Sequence, residues 1–235
     1  MLTRILALLL LPCLLVGCGG VAGKVNGSKK FKSEWTVQLI PLTGSKRNLT
    51  ATLWVNGDRF RIHKTETGKL MPMDATVYVL ESDLVYDGKT LWEFNRKLYP
   101  QGQPDQAEQE GTCKHEPSKD ELAGMQFWKF PDGLPVEAEG SESVGGVSCT
   151  KYISRQRSAL GTDLVFRFWV DEGRGVMMKR AVGTGTDSGG GGDAVFGSTF
   201  TCDKLEMNPS FDSKDFEHTP SGEAQPIEEL PFKAL

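Results

Sequence analysis

Histidine and cysteine are scarce in this chain, which has 3 histidines and 5 cysteines among its 235 residues. The histidines (His63, His115 and His218) are scattered, and no Gly-x-Ser-x-Gly motif supplies a serine nucleophile for hydrolysis. Carboxylates are numerous, but none falls in a pattern that separates a catalytic pair from a solvated surface, so a glycosidase is not indicated. We therefore predict that the chain is not an enzyme.

Positive charge is also in short supply. The 27 lysines and arginines are outnumbered by 31 aspartates and glutamates, which gives a formal net charge of -4. No basic stripe interleaved with aromatic residues is present, so we expect no nucleic-acid partner. The composition, with 38% hydrophobic and 25% charged residues, is that of a globular domain and excludes a disordered or multi-spanning chain.

Two short motifs bear on cofactors and metals. Residues 88–90 (Gly-Lys-Thr) end like a phosphate-binding loop, but Asp83 stands where that loop needs its first glycine, and Asp87-Gly88 is typical of a turn. Cys113 and His115 supply two metal ligands, whereas a stable zinc site needs three or four. We expect neither a cofactor nor a metal.

One apolar run stands out, and it lies at the start of the chain. Arg4 is the single basic residue of residues 1–17 and precedes the apolar stretch from Ile5 to Val16. This stretch falls short of the roughly 20 residues that a membrane span needs. A charged start followed by a short apolar core is typical of a signal peptide, and we predict that residues 1–17 are removed from the mature protein.

The end of this segment, Leu15-Val16-Gly17-Cys18, resembles the bacterial lipobox. The resemblance implies that the Cys18 thiol is diacylated and becomes the first residue, so that acyl chains hold the protein on a membrane. The alternative is an ordinary secretory signal that contains a cysteine. By resemblance to Gram-negative lipoproteins, in which Asp after the cysteine favours inner-membrane retention, Gly19 implies the outer membrane, facing the periplasm.

Residues 18–33 are rich in Gly, Ser, Asn and Lys and contain few apolar residues. This composition predicts a lipidated tether with a random-coil reach of about 20 Å. Its lysines are compatible either with attraction to anionic head groups or with a solvated spacer.

Beyond residue 33 the apolar residues recur with period two, which is typical of half-buried strands. Asn56-Gly57 and Asp87-Gly88 each separate two such runs and predict tight hairpins. Because connections this short cannot join parallel strands, the first half of the domain is predicted to be an antiparallel meander. Further strands are predicted in the second half of the chain, over residues 148–154, 164–170, 176–182 and 195–205.

One helix interrupts the strands after a predicted loop over residues 100–117. Ser118 and Glu121 form a capping box, with Leu122, Met125 and Trp128 following at a spacing of three, and Pro131 ends the pattern. The sequence therefore predicts an α+β, mainly β fold. From Pro209 onward the chain is predicted to be mostly irregular, with a C-terminal tail over residues 221–235.

The order of these elements resembles that of the LolA/LolB/RseB-like group of periplasmic and outer-membrane proteins. The resemblance rests on residues 53–61, 86–92, 142–152 and 168–171, and on a Phe-x-x-x-Pro motif from Phe216 to Pro220. It implies a single domain over residues 34–220, in which a curved antiparallel sheet forms an open half-barrel. In that group, helices cover the mouth of the half-barrel, and the cavity beneath them accepts acyl chains.

Three cysteines, Cys113, Cys149 and Cys202, remain after the lipobox, and in an oxidising compartment one disulfide is expected among three pairings. Cys202 is in phase with Phe196 and Phe200 and is therefore predicted to be a small buried residue. Cys113, in a polar loop, is predicted to pair with Cys149.

The in-phase apolar positions of the sheet and helix are predicted either to line an acyl-chain cavity or to form an ordinary core. The cavity favours binding of a lipid or lipoprotein, whereas the core favours an envelope protein-interaction or stress-sensing module; a hydrolase has the least support. The predicted cavity residues are Trp35, Val37, Leu53, Val55, Phe60, Ile62, Val77, Val79, Trp92, Phe94, Leu122, Met125, Trp128, Phe166 and Phe168.

Overall fold

The structure of the protein is a computed structural model. It describes residues 19–27, 29–40, 47–69, 77–98, 109–157, 163–184 and 196–217. The predicted signal peptide, Cys18 and the tail over residues 221–235 lie outside the described residues.

The described chain forms one antiparallel sheet of eleven strands in the order β6-β5-β4-β3-β2-β1-β11-β10-β9-β8-β7. Strands β1 and β11 pair at its centre and join its two meanders. The strands are β1 (Lys30–Ile40), β2 (Arg47–Asn56), β3 (Arg59–Lys69), β4 (Val77–Tyr86), β5 (Leu91–Leu98), β6 (Gln109–His115), β7 (Glu137–Val144), β8 (Val147–Arg157), β9 (Asp163–Asp171), β10 (Val176–Thr184) and β11 (Phe196–Met207).

The tight turns occur where the sequence places glycine. Gly57 has a φ of 65° in the two-residue turn between β2 and β3. Gly145 and Gly146, with φ of 57° and 79°, join β7 to β8, a conformation that favours a hairpin twisted like its strands. In the turn between β4 and β5, the Asp87 carboxylate accepts hydrogen bonds from the backbone N–H groups of Lys89 and Thr90.

Helix α2 (Lys119–Met125) begins as predicted. The Ser118 hydroxyl accepts the Glu121 N–H at 3.1 Å, and the Glu121 carboxylate accepts the Ser118 N–H at 3.3 Å. The helix ends at Met125, so Trp128 lies beyond it and the predicted continuation towards Pro131 is wrong. Residues 119–134 are called the covering segment, and the face of the sheet that packs against them is called the inner face.

Aromatic residues after α2 cross the inner face. The Phe127 ring is 5.2 Å from Trp35 in β1 and 4.8 Å from Phe200 in β11. Trp128 lies 5.2 Å from Phe60 in β3, and Phe130 lies 4.7 Å from Phe168 in β9. The covering segment is therefore part of the core rather than a loop over its surface.

These contacts bend the sheet around the covering segment. Strands β3 and β9 are five places apart in the strand order, which is about 24 Å in a flat sheet. The Cα atoms of residues 128 and 130 are separated by at most about 7 Å, and their side chains reach both strands. The predicted fold class, mainly β with a curved antiparallel sheet and few helices, is confirmed.

The predicted flexible tether is wrong for the residues that the structure describes. Helix α1 (Gly19–Asn26) packs Ala22 and Val25 into an apolar cluster with Phe130 and Phe168, and β1 begins at Lys30. The helix is held by these tertiary contacts, which its glycine-rich composition does not reveal.

Three further elements lie where the sequence predicts loop or irregular chain. Strand β6 occupies the end of the predicted loop 100–117, and β7 precedes Gly145; both are edge strands with few buried residues. A 3-10 helix (Ser213–Phe216) buries Phe216, and the Arg59 guanidinium lies 5.2 Å from that ring. Their polar sequences carry little apolar periodicity by which a strand is predicted.

Candidate functional site

The centre of the inner face is filled core. Most of the predicted cavity residues there are buried in one cluster together with Phe127, Leu91 and Leu84, and Leu122 and Met125 pack against it from α2. The buried members of this cluster are at most 5% exposed, whereas Leu122 and Met125 are partly buried, so this part of the face is closed. The predicted residues brought together here are Trp35, Leu53, Val55, Phe60, Ile62 and Trp128.

A second cluster lies under α1 and the end of the covering segment. Phe168 is fully buried there among Phe130, Leu134 and Tyr152, and Phe166 is partly buried at its margin. Residues Ala22 and Val25 of α1 complete the cluster. Both phenylalanines of β9 thus lie on the predicted inner face, one in the core and one at its border.

The inner face continues past the covering segment in a third cluster. Val37 is 1% exposed and packs with Leu39 and Leu49, and Phe200 is the partly buried residue against them. Leu39 faces Ser198 in β11, which faces Val182 in β10, which faces Phe166 in β9. Paired residues of an antiparallel ladder share a face, so this row extends the apolar inner face beyond Phe127. We call it the open row.

Three predicted cavity residues lie on the other face of the sheet, which we call the outer face. Trp92 is opposite Val85 and Phe94 is opposite Asp83, whereas Leu91 is the β5 residue in the inner core. Val79 pairs with Thr67 in β3. Thr67 is the neighbour of Glu66, whose side chain is on the inner face, so Thr67 and Val79 lie on the outer face. The placement of these three in the cavity is wrong. Strands β4 and β5 carry apolar residues on both of their faces, so only the register with β3 determines which face is turned towards the core. Val77 lies opposite Lys69, and nothing further is described of its side chain.

The outer face instead carries a row of alternating cations and tryptophans. In register across β1 to β6 lie Lys32, Trp54, Arg61, Val85, Trp92 and Lys114. The Lys114 ammonium is 4.4 Å from the Trp92 ring, and Lys32 and Arg61 are each 5.4 Å from the Trp54 ring. Cations over tryptophan faces are stabilised by the ring quadrupole.

Beside this row, His63 and Arg61 both contact Asp83. The Arg61 Nε lies 3.0 Å from one carboxylate oxygen and the His63 Nδ1 lies 3.3 Å from the other. The hydrogen bond to Asp83 raises the pKa of His63. Burial opposes ionisation of Asp83, but the hydrogen bonds from His63 and Arg61 outweigh it, so the pKa of Asp83 is lowered.

Two basic side chains lie partly buried on the inner face. Arg180 lies in register between Phe200 and Phe168, and burial lowers its pKa. Lys64 lies between Ala51 and Ser82; burial lowers its pKa to about 8, against the opposing effect of Glu93. Sequence reasoning missed both, since a basic residue in a strand is ordinarily assigned to the solvated face.

Glu93, His115 and Glu121 are the described residues that could hold a metal, with one ligand atom of each lying within 4.8 Å of the others. The His115 Nε2 is 2.7 Å from a Glu121 oxygen, and the other Glu121 oxygen accepts the Ser118 N–H. Because His115 and Glu121 already contact each other, this pair is accounted for as the link between β6 and the start of α2.

The predicted disulfide between Cys113 and Cys149 is not formed. Both residues are free thiols, as is Cys202. Cys113 is on β6 and Cys149 on β8, with eight strands between these two in the sheet order. Cys202 is fully buried, as its phase predicts.

Within the part of the chain that the structure describes, no helix has the length and apolar character needed to cross a membrane.

No protein-family model matches the sequence, and no curated protein matches it. The structure is similar to that of MucB, with 15% sequence identity, a TM-score of 0.46 and coverage of 90% of this chain and 66% of MucB. A DUF1329 family protein from Desulfovibrio piger aligns at 13% identity and a TM-score of 0.29, covering 84% of this chain and 93% of that protein. A putative outer membrane lipoprotein-sorting protein domain from Vibrio parahaemolyticus aligns at 12% identity and a TM-score of 0.29, covering 83% of this chain and 92% of that domain.

The chain spans 66% of the length of MucB. At these identities the similarity concerns the course of the chain and carries no partner or activity with it.

Proposed function

We propose that this protein is a non-catalytic lipoprotein of the Gram-negative envelope that binds an acyl chain of a lipid or lipoprotein on the inner face of its sheet. Cys18 carries the acyl anchor that holds it in the outer membrane, facing the periplasm. The binding domain, predicted over residues 34–220, includes α1 and the start of β1 at its N-terminal end, next to the anchor.

The observation that carries this proposal is that, within the described residues, the apolar inner face extends beyond the covering segment. Phe127 and Trp128 close the centre, whereas the open row continues through Leu39, Val182 and Phe166. Leu39 is buried at one end of this row, whereas Val182 and Phe166 are only partly buried. An elongated apolar strip beside a closed core suits an acyl chain and suits a polar metabolite poorly.

The energetics of the open row favour a long apolar ligand. Each methylene group that it removes from water contributes about 0.8 kcal/mol. A chain lying along several strands therefore gains affinity in proportion to its contact length, with few polar interactions required. The central residues, Trp35 and Phe60 among them, belong to the core that lies beside this strip and do not contact the ligand themselves.

The test compares two phenylalanines on opposite faces of the sheet. Both Phe166 and Phe94 are partly buried strand residues, the first in the open row and the second on the outer face. With a fluorescent fatty acid as the probe, we expect Phe166→Asp to weaken binding about tenfold or more, since a carboxylate in an apolar site is costly. Phe94→Asp is the matched control and should bind like the parent protein. Equal binding by the two folded variants would contradict the proposal.

The outer row favours a second candidate, an envelope protein-interaction module. Trp54 and Trp92 with Lys32, Arg61 and Lys114 form the kind of aromatic and cationic surface that is enriched at protein interfaces. A photo-crosslinking residue at position 54, tested in the intact envelope, should give one discrete adduct if this row binds a partner. An adduct that persists in Phe166→Asp would assign the function to the outer row.

A further inference from the structure

Arg180 is a partly buried cation on the inner face. Its Nε atom is buried, and the structure gives it no hydrogen-bond partner. Among the described residues, no acidic side chain forms an ion pair with it. A buried N–H donor that has no hydrogen-bond partner costs free energy, and the cost is larger when the donor belongs to a charged group.

The neighbours of Arg180 are aromatic. It lies in register between Phe200 and Phe168. Phe127 stacks on Phe200 at 4.8 Å, and Phe130 lies 4.7 Å from Phe168, so aromatic rings flank the arginine on both sides. Two residues further along β10, Val182 belongs to the open row, so the guanidinium stands where the covered core meets the apolar strip.

A second polar group without a partner lies on the same face. Ser154 is 2% exposed, and the structure gives its hydroxyl oxygen no hydrogen-bond partner. Ser154 is in register with Phe166, while Arg180 is in register with Phe168, so the two polar residues occupy adjacent rows of the inner face. Buried polar groups in folded proteins are nearly always hydrogen-bonded, so two unsatisfied groups on one face indicate polar atoms supplied by a ligand.

We propose that Arg180 binds the anionic head of an amphiphile, a carboxylate or a phosphate, whose acyl chain lies along the open row, with Ser154 as a further hydrogen-bond donor. The proposal rests on the proposed acyl-chain binding and specifies its ligand class. Guanidinium groups bind carboxylate and phosphate oxygens through paired, charge-assisted hydrogen bonds. The head group is thereby fixed at one end of the open row, which by itself selects a ligand only by the length of its apolar chain.

The experiment uses the whole chain with Cys18→Ser, so that no detergent is needed, and two probes: 11-(dansylamino)undecanoic acid and its uncharged methyl ester. We expect the acid to bind about tenfold or more tightly than the ester, the factor that one charge-assisted interaction supplies. Arg180→Met should bind both probes with the affinity of the ester, and Arg180→Lys should retain part of the preference. Circular dichroism and the thermal midpoint establish that each variant is folded.

The outcomes separate this inference from the proposed function. Equal binding of acid and ester by the parent protein, or a preference that survives in Arg180→Met, would overturn the role of Arg180 and leave acyl-chain binding in place. Failure of both probes to bind the parent protein would overturn both.

Competition identifies the head group. Displacement by lysophosphatidic acid supports a phosphate head, and displacement by oleate supports a carboxylate head. Displacement by inorganic phosphate alone, at concentrations at which neither amphiphile competes, would show a simple anion site and overturn the amphiphile.

Discussion

Asn26 and Phe130 are joined by a reciprocal pair of hydrogen bonds. The Asn26 amide donates to the Phe130 carbonyl at 2.7 Å, and the Phe130 N–H donates to the Asn26 side-chain oxygen at 2.7 Å. The last residue of α1 is thereby fixed to the covering segment, 104 positions along the chain. Since α1 begins at Gly19, an acyl group on Cys18 would be one residue from a packed helix, so the domain is expected to sit close to its membrane.

Breaking this pair should loosen α1. Asn26→Ala leaves the Phe130 N–H and carbonyl without their partner, which we expect to lower the free energy of unfolding by about 2 kcal/mol. Urea denaturation measures this change. Lys24→Ala is the control, because Lys24 on the same helix forms an exposed ion pair with Glu172 and should change stability little. Comparable losses in the two variants would show that the pair has no special role.

Anchoring should depend on one cysteine of the N-terminal segment. We expect Cys18→Ser to release the protein from the membrane fraction or to block removal of residues 1–17, because the thiol is the acylated group. Cys13→Ser, within the apolar run, should fractionate like the parent protein. Cell fractionation with metabolic labelling by a fatty acid tests both. A processed, membrane-bound Cys18→Ser protein would contradict the lipoprotein proposal.

The three described thiols should differ in reactivity. Cys113 is partly exposed, whereas Cys149 and Cys202 are 1% and 0% exposed, and burial raises the pKa of Cys202 to about 12. Because the thiolate is the reactive form, we expect an aromatic disulfide reagent to label Cys113 first in the native Cys18→Ser protein, with Cys149 and Cys202 labelled after unfolding. Peptide mapping identifies the labelled positions. Recovery of a Cys113–Cys149 peptide would overturn the free-thiol arrangement.

The Asp83 contact should make stability depend on pH through His63. The folded state raises the pKa of His63 above its usual 6.5, so the charged pair stabilises the fold below that value. Its contribution is lost as the pH rises through the raised pKa. The stability advantage of the parent protein over His63→Gln should therefore shrink across this window.

Nuclear magnetic resonance titration of His63 isolates the cause. Asp83→Asn removes both the hydrogen bond and the main charge, so the His63 pKa should fall to or below its usual value, where burial then prevails. Glu81→Gln is the control and should lower it less, since Glu81 acts only through its charge. An unchanged His63 pKa in Asp83→Asn would contradict this assignment.

The local features of the fold could be predicted from the sequence. The Ser118 and Glu121 capping box, and the hairpin turns at Gly57 and Gly145, each depend on a few neighbouring residues whose chemistry is specific to the structure formed. The register between distant strands could not be predicted. In β5, Leu91 and Trp92 are both apolar, so the sequence of this strand does not show which of them faces the core. The pairing of Leu91 with Tyr86 and of Trp92 with Val85 determines it.

The candidate site was predictable in part for the same reason. The alternation of Phe166 and Phe168 predicts that both lie on the inner face, but no local pattern predicts Arg180 there, because burial of a charge is normally avoided. Its position follows from the pairing of β10 with β9 and β11, contacts that local periodicity does not encode.

Phe127 should distinguish a core residue from a movable lid. Its ring contacts Trp35, Trp128 and Phe200, and it is 5% exposed. Phe127→Ala should therefore lower the free energy of unfolding by about 3 kcal/mol or more through the cavity it leaves. Phe211→Ala, which removes a partly buried ring beside Phe216, is the control and should cost less.

If the covering segment instead opens to admit ligand, Phe127→Ala would keep nearly full stability and bind the fluorescent fatty acid faster than the parent protein. Urea denaturation and stopped-flow fluorescence on the same preparation measure both quantities, and we expect a large loss of stability with an unchanged association rate, because the open row lies beyond this residue.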